Sequence, residues 1–169
     1  MKKYGIAIVF MTLILAGSAD ARPKNSFDRV MSSYEPIRLA LADDSLEGVN
    51  QNATEIVQEL QHLRRNITAA EAGVEMGDGM IVFAELEKWT ATAQNLQKAD
   101  STAEARIAFE KLSAAMIDWR ARQARPSKTI VAHCPLTDET WIQAKKNRKE
   151  IKNPYSCSSP GKCEKLTNS

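Results

Sequence analysis

Three cysteines and a histidine are the chemically versatile side chains of this 169-residue chain, and they share its last quarter: His133, Cys134, Cys157 and Cys163. Thiolates with an imidazole form a soft donor set of the kind that selects Cu(I) or Zn(II). Cys157 and Cys163 flank the turn Ser158-Ser159-Pro160-Gly161, which could bring two sulfurs to one ion, with Cys134 and His133 completing the set. Two features oppose this. His133 and Cys134 are consecutive, and in an extended segment consecutive side chains point to opposite faces. No pair has the C-x-x-C spacing of a convincing metal site. In an oxidising compartment the same thiols would form a disulfide. Three thiols allow three pairings, each leaving one over. A soft-metal site and a disulfide both stand at this point.

Catalytic patterns are missing from the sequence. His62, the second histidine, lies in Gln61-His62-Leu63-Arg64 and reads as part of a solvated helix face. A Cys–His nucleophile needs a hydrogen bond between side chains from distant segments, which the adjacency of His133 and Cys134 makes hard to reach. There is no G-x-S-x-G elbow, phosphate-binding glycine loop or H-E-x-x-H. The expectation is a protein that is not an enzyme.

The N-terminus bears on the state of the thiols. Lys2-Lys3 is followed by an apolar run, Ile6 to Ala16, and by Gly17-Ser18-Ala19-Asp20-Ala21, with Ala19 and Ala21 at the −3 and −1 positions of a cleavage site. This is the layout of a secretory signal peptide over residues 1–21. The apolar run is shorter than the roughly 20 residues a membrane-spanning helix needs. Its removal leaves 148 residues, one domain with room for a real core, and no transmembrane segment. The mature net charge is +1, which gives no electrostatic reason to expect nucleic acid as a partner. The charge is uneven: residues 22–125 sum to −3 and residues 126–169 to +4. The basic run Lys145-Lys146-Asn147-Arg148-Lys149 reads as a solvated face.

The elements that must position the tail are helical. Apolar residues recur with the 3.6-residue period over 22–126. Phe27, Val30, Met31, Tyr34, Ile37 and Leu41 form one stripe, with a helix start near Ser33 that leaves Pro36 in the first turn. After a break at Asp43-Asp44-Ser45, Leu46, Val49, Ala53, Ile56, Val57, Leu60, Leu63 and Ile67 form a second. Met76, Met80, Phe83, Leu86, Ala93 and Leu96 form a third after the flexible stretch 73–79. Ser101-Thr102-Ala103-Glu104 reads as a capping box for a fourth, which Pro126 closes. Met31, Met76, Met80 and Met116 all fall on these stripes, where core packing is the main reading and sulfur coordination the other. One-faced helices must bury their stripes on each other. The fold expected is all-α, an antiparallel bundle of three to four helices. An irregular Cys-containing tail over 127–169 packs on it in the same domain. In that tail Thr129 to Ala132 reads as extended, and Leu136 to Ile151 as a helical turn or two around Trp141. Trp141 packs or anchors the tail.

The tail runs His133-Cys134-Pro135-Leu136, Trp141, Asn153-Pro154-Tyr155 and Cys163. It resembles a family of exported bacterial domains that also occurs as a C-terminal extension on periplasmic adaptor subunits of copper/silver-type efflux pumps. Tyr34 with Leu39 to Asp44, and Ala105 to Met116, resemble the family's helical part. Leu136 and Pro160 stand where the family has Met, and Cys157 where Gly is common. The resemblance implies a periplasmic protein that binds a soft, copper-like ion or serves metal homeostasis, with a metal-efflux or other envelope protein as partner. It also implies a Cys134–Cys163 pair. As a disulfide, that pair would close a loop of about 30 residues, worth roughly 3–4 kcal/mol. The alternative implied function is a disulfide-stapled helical interaction module without metal.

Overall fold

A computed structural model describes residues 24–145, 151–155 and 164–165. The expected signal segment, Cys157, Cys163 and most of the basic run lie outside the described residues. Helices dominate: α1 (Ser26–Ala42), α2 (Val49–Arg65), the one-turn α3 (Ala69–Ala72), α4 (Gly79–Gln97) and α5 (Thr102–Ala121). Strands β1 (Thr129–Cys134), β2 (Glu139–Ala144) and β3 (Glu164–Lys165) follow. Among the described residues no helix is long and apolar enough to cross a membrane.

α1 starts earlier than its proline suggests. The Asn25 side chain accepts the Asp28 N–H at 2.9 Å and caps the helix there. The helix then runs through Pro36. A proline inside a helix costs about 3 kcal/mol. The N-terminal half offsets it by burying Phe27, Val30 and Met31. α2 is capped by Gly48 at φ 72°, three residues beyond Ser45, whose hydroxyl accepts the Glu47 N–H in the preceding turn. α5 begins with half of the expected box: Ser101 Oγ accepts the Glu104 N–H at 3.2 Å, but Glu104 Oε2 accepts the N–H of Asp100, the residue before the cap, at 3.1 Å.

α2 packs between α1 and α4, and α5 packs on α4. The core is threaded by aromatics. Trp119 stacks on Trp89 (5.3 Å between centroids) and meets Phe27 edge-on (5.5 Å), while Tyr34 stacks on Phe109 (4.7 Å). Trp119 Nε1–H donates to the Ala72 carbonyl at 3.0 Å. That bond fixes α3, an element too short to carry a period. Gly73 ends α3 at φ 72°, and a Cβ there would lie 2.0 Å from the Asn25 amide. The left-handed backbone at this position favours glycine, and a side chain there would push the Asn25 amide from its cap on α1.

The third stripe is phased differently from its reading in the sequence. α4 buries Val82, Leu86, Trp89, Ala93 and Leu96. Phe83 is partly exposed, Met80 is 72% exposed, and Met76, in a 3₁₀ turn before α4, is 91% exposed. The 3₁₀ turn breaks the α-helical phase, and position 80 lies across the helix from position 82. Met31 and Met116 are core residues as read.

The expectation of an all-α chain with an irregular tail is also corrected. β1 and β2 form an antiparallel hairpin, and β3 pairs with the other edge of β1, in the order β2-β1-β3. Trp141 lies in β2, not in a helical turn. The segment Glu139–Ala144 holds the β-formers Thr140, Trp141 and Ile142, and pairing with β1 satisfies its backbone.

Candidate functional site in the C-terminal sheet

The β-hairpin sorts the tail side chains onto two faces. Register pairs Val131 with Ile142 and Ala132 with Trp141. Val131 and Ile142 join the core of the bundle. Ala132, Cys134 and Trp141 form a separate buried cluster on the other face, with Ile151 and Tyr155 packed against it. Cys134 is thus buried beside Trp141.

His133 takes the opposite face. Its Nε2 lies 3.0 Å from Asp138 Oδ1 in the turn that closes the hairpin. Asp138 adopts φ 62°, and its N–H donates to the Cys134 carbonyl at 2.8 Å. The imidazole is therefore engaged by a carboxylate on one face while the neighbouring thiol is buried on the other. Cys157 and Cys163, the remaining members of the expected set, lie outside the described residues. Among the described residues no three His, Cys, Asp or Glu side chains converge to hold a metal ion. His62 is half-exposed, with Nε2 3.8 Å from Glu71.

Residues 151–155 form a strap over the thiol-bearing face, and three arginine or tyrosine contacts tie it down. Arg38 Nη1 donates to the Lys152 carbonyl at 2.8 Å, and Arg106 Nε to the Pro154 carbonyl at 3.0 Å. Arg38 is itself buried and paired with Glu35. Arg106 also donates to the Leu41 carbonyl and pairs with Asp44 at 2.9 Å. Asn153 Oδ1 accepts the Tyr155 N–H at 2.8 Å, an Asx turn that aims the tyrosine inward. The Asn-Pro-Tyr motif thus has a local physical role: turn, rigid link and anchor.

Tyr155 enters a buried hydroxyl network between sheet and bundle. Its hydroxyl lies 2.9 Å from Ser113 Oγ and 3.3 Å from the Thr140 carbonyl. Ser113 Oγ is 2.7 Å from the Tyr34 hydroxyl, which accepts the Ile142 N–H at 3.3 Å. Burial raises the pKa of both tyrosines well above the usual phenol value. Both stay protonated and act as hydrogen-bonding anchors. Sequence reasoning missed this network because its members are far apart in the chain and none has a recognisable spacing. The buried Ser113 within an apolar stripe was the one available signal.

Grooves among the described residues flank this architecture. One of about 500 Å³ lies between α1 and the hairpin, lined by Phe27, Met31, Glu35, Pro36 and Thr129. The other, about 540 Å³, lies between α4 and α5, lined by Ile81, Glu85, Trp89, Lys111 and Asp118. No cysteine or histidine lines either one. No family model, curated protein or solved structure matches the chain.

Proposed function

We propose that this chain is an exported, non-enzymatic binding module whose C-terminal sheet is closed by a Cys134–Cys163 bridge. One observation carries the reading. β3 pairs with β1 at His133↔Glu164, and Cys134 and Cys163 are the next residues along the two antiparallel segments. The proposed partner of Cys134, Cys163, directly precedes Glu164 in the chain, and a disulfide needs two segments held side by side, as β1 and β3 are. The signal segment supplies an oxidising compartment. The fixed, strap-covered core around Cys134 suits a structural bond.

The same pair of cysteines allows a second reading. The thiolates of Cys134 and Cys163 could instead grip one soft ion, which is the copper-like function the family resemblance implies, with a metal-efflux or other envelope protein as partner. His133 belongs to neither reading, because it faces away from Cys134 and holds Asp138. Mass spectrometry after alkylation of freshly exported protein separates the two. One labelled thiol at Cys157 and a bridged 134–163 peptide support the disulfide. Three labelled thiols, with tight stoichiometric Cu(I) uptake lost in Cys163→Ser, support the metal.

A further inference from the structure

We propose that the groove between α4 and α5 docks the same groove of a second copy of this chain, in a two-fold antiparallel dimer. The short connection after Gln97 turns α5 back along α4, and the groove of about 540 Å³ runs between them on the outside of the bundle. Its floor is Trp89, and the exposed Ile81 stands at one end. Ile107, also exposed, lies on α5 toward the other end. Exposed apolar side chains on a face with a built groove mark a contact surface.

The charges say what covers it. Acids and bases occupy separate halves: Glu85 on α4 and Asp118 on α5 lie toward the Ile81 end, and Lys88 and Lys111 lie beyond them. The acidic half therefore complements the basic half of an identical groove that runs the opposite way. Within the chain Lys88 is 3.8 Å from Glu85 and Arg122 is 3.0 Å from Asp118. All four side chains stay partly exposed, so a facing charge adds to each pair.

One axis satisfies both helices. On α4, Glu85 and Lys88 share a midpoint with Ile81 and Thr92, between Leu86 and Glu87. On α5, Asp118 and Lys111 share a midpoint with the adjacent Ala114 and Ala115. At 1.5 Å per residue the first midpoint lies about 11 Å from Gly79, and the second about 11 Å from Arg122. Arg122 pairs with Asp78 at 3.4 Å, so those two ends are level and so are the midpoints. A two-fold axis crossing both helices there lays α4 on α4 and α5 on α5 of the second copy. Glu85 then faces Lys88 of the second copy and Asp118 faces its Lys111, each contact made twice by symmetry. Ile81 meets the second copy's Thr92, and Ile107 meets the apolar stem of its Arg122. The exposed Ala114 at the axis lets the helices approach closely. Glu87, also near the axis, is drawn to the α2 side by Arg64 at 3.3 Å.

The test is sedimentation velocity on the full exported chain with its thiols blocked by N-ethylmaleimide, which removes any dimer linked through cysteine. Over about 1 to 500 μM protein, a reversible monomer–dimer equilibrium is expected. Raising NaCl from about 0.05 to 0.5 M is expected to weaken it. Lys111→Glu sets acid against Asp118 twice per dimer and should weaken association at least about tenfold. Adding Asp118→Lys to that variant reverses both partners and should restore association to within about threefold of the parent chain. Circular dichroism checks that each variant keeps its helices. A chain that stays monomeric throughout overturns the proposal, whatever else covers the groove. So does a dimer that Lys111→Glu leaves unchanged or strengthens, or one that the double variant fails to restore.

Discussion

Replacing Tyr34 by Phe removes a single oxygen from the junction of bundle and sheet. The ring is expected to keep its stack on Phe109, so the packing term stays. What is lost is the acceptor of the Ile142 N–H and one partner of Ser113. Ile142 is fully buried in the edge strand β2, and water cannot replace the phenol there. An unsatisfied buried donor costs about 1–3 kcal/mol. Ser113 retains the Tyr155 hydroxyl, which keeps the cost within that range. Urea unfolding of the thiol-blocked chain, followed by tryptophan fluorescence, measures the loss. Tm should fall by roughly 2–4 °C for each kcal/mol in a chain of this size. The pair Tyr34→Phe and Tyr155→Phe adds an internal control. Both act through Ser113, so the double variant should depart from additivity by about 0.5 kcal/mol or more. A Tyr34→Phe loss below about 0.5 kcal/mol, with additive behaviour in the double variant, would refute the network as a stabilising link.

The same tyrosines predict an alkaline limit. Their folded pKa values lie above the unfolded value near 10, so the folded state keeps protons that the unfolded chain loses. Their contribution is fully present below about pH 10, and stability should fall above it by up to about 1.4 kcal/mol per pH unit per tyrosine. Equilibrium unfolding between pH 9 and 11 checks this, and Tyr34→Phe should flatten the slope. Ser101→Ala removes the acceptor of the Glu104 N–H and should cost about 1 kcal/mol, read by the urea midpoint, with the fold unchanged.

Periodicity and caps determined the helical body. The stripes of α1, α2 and α5 and the cap at Ser101 were legible because each depends on residues within a few positions of one another. The same local logic failed at Met76 and Met80. A 3₁₀ turn reset the phase, and no neighbour in the chain reveals which side of α4 meets α2. It failed again at Trp141, where an isolated segment can turn helically or extend, and pairing with β1 settles the matter. The sequence also raised the thiol question without setting its geometry. It placed His133 beside Cys134, and only the sheet separated them, sending the thiol under the strap and the imidazole to Asp138. The Tyr34–Ser113–Tyr155 junction is wholly tertiary. It joins α1, α5 and the strap across large sequence separations, and a linear pattern holds no record of such distances.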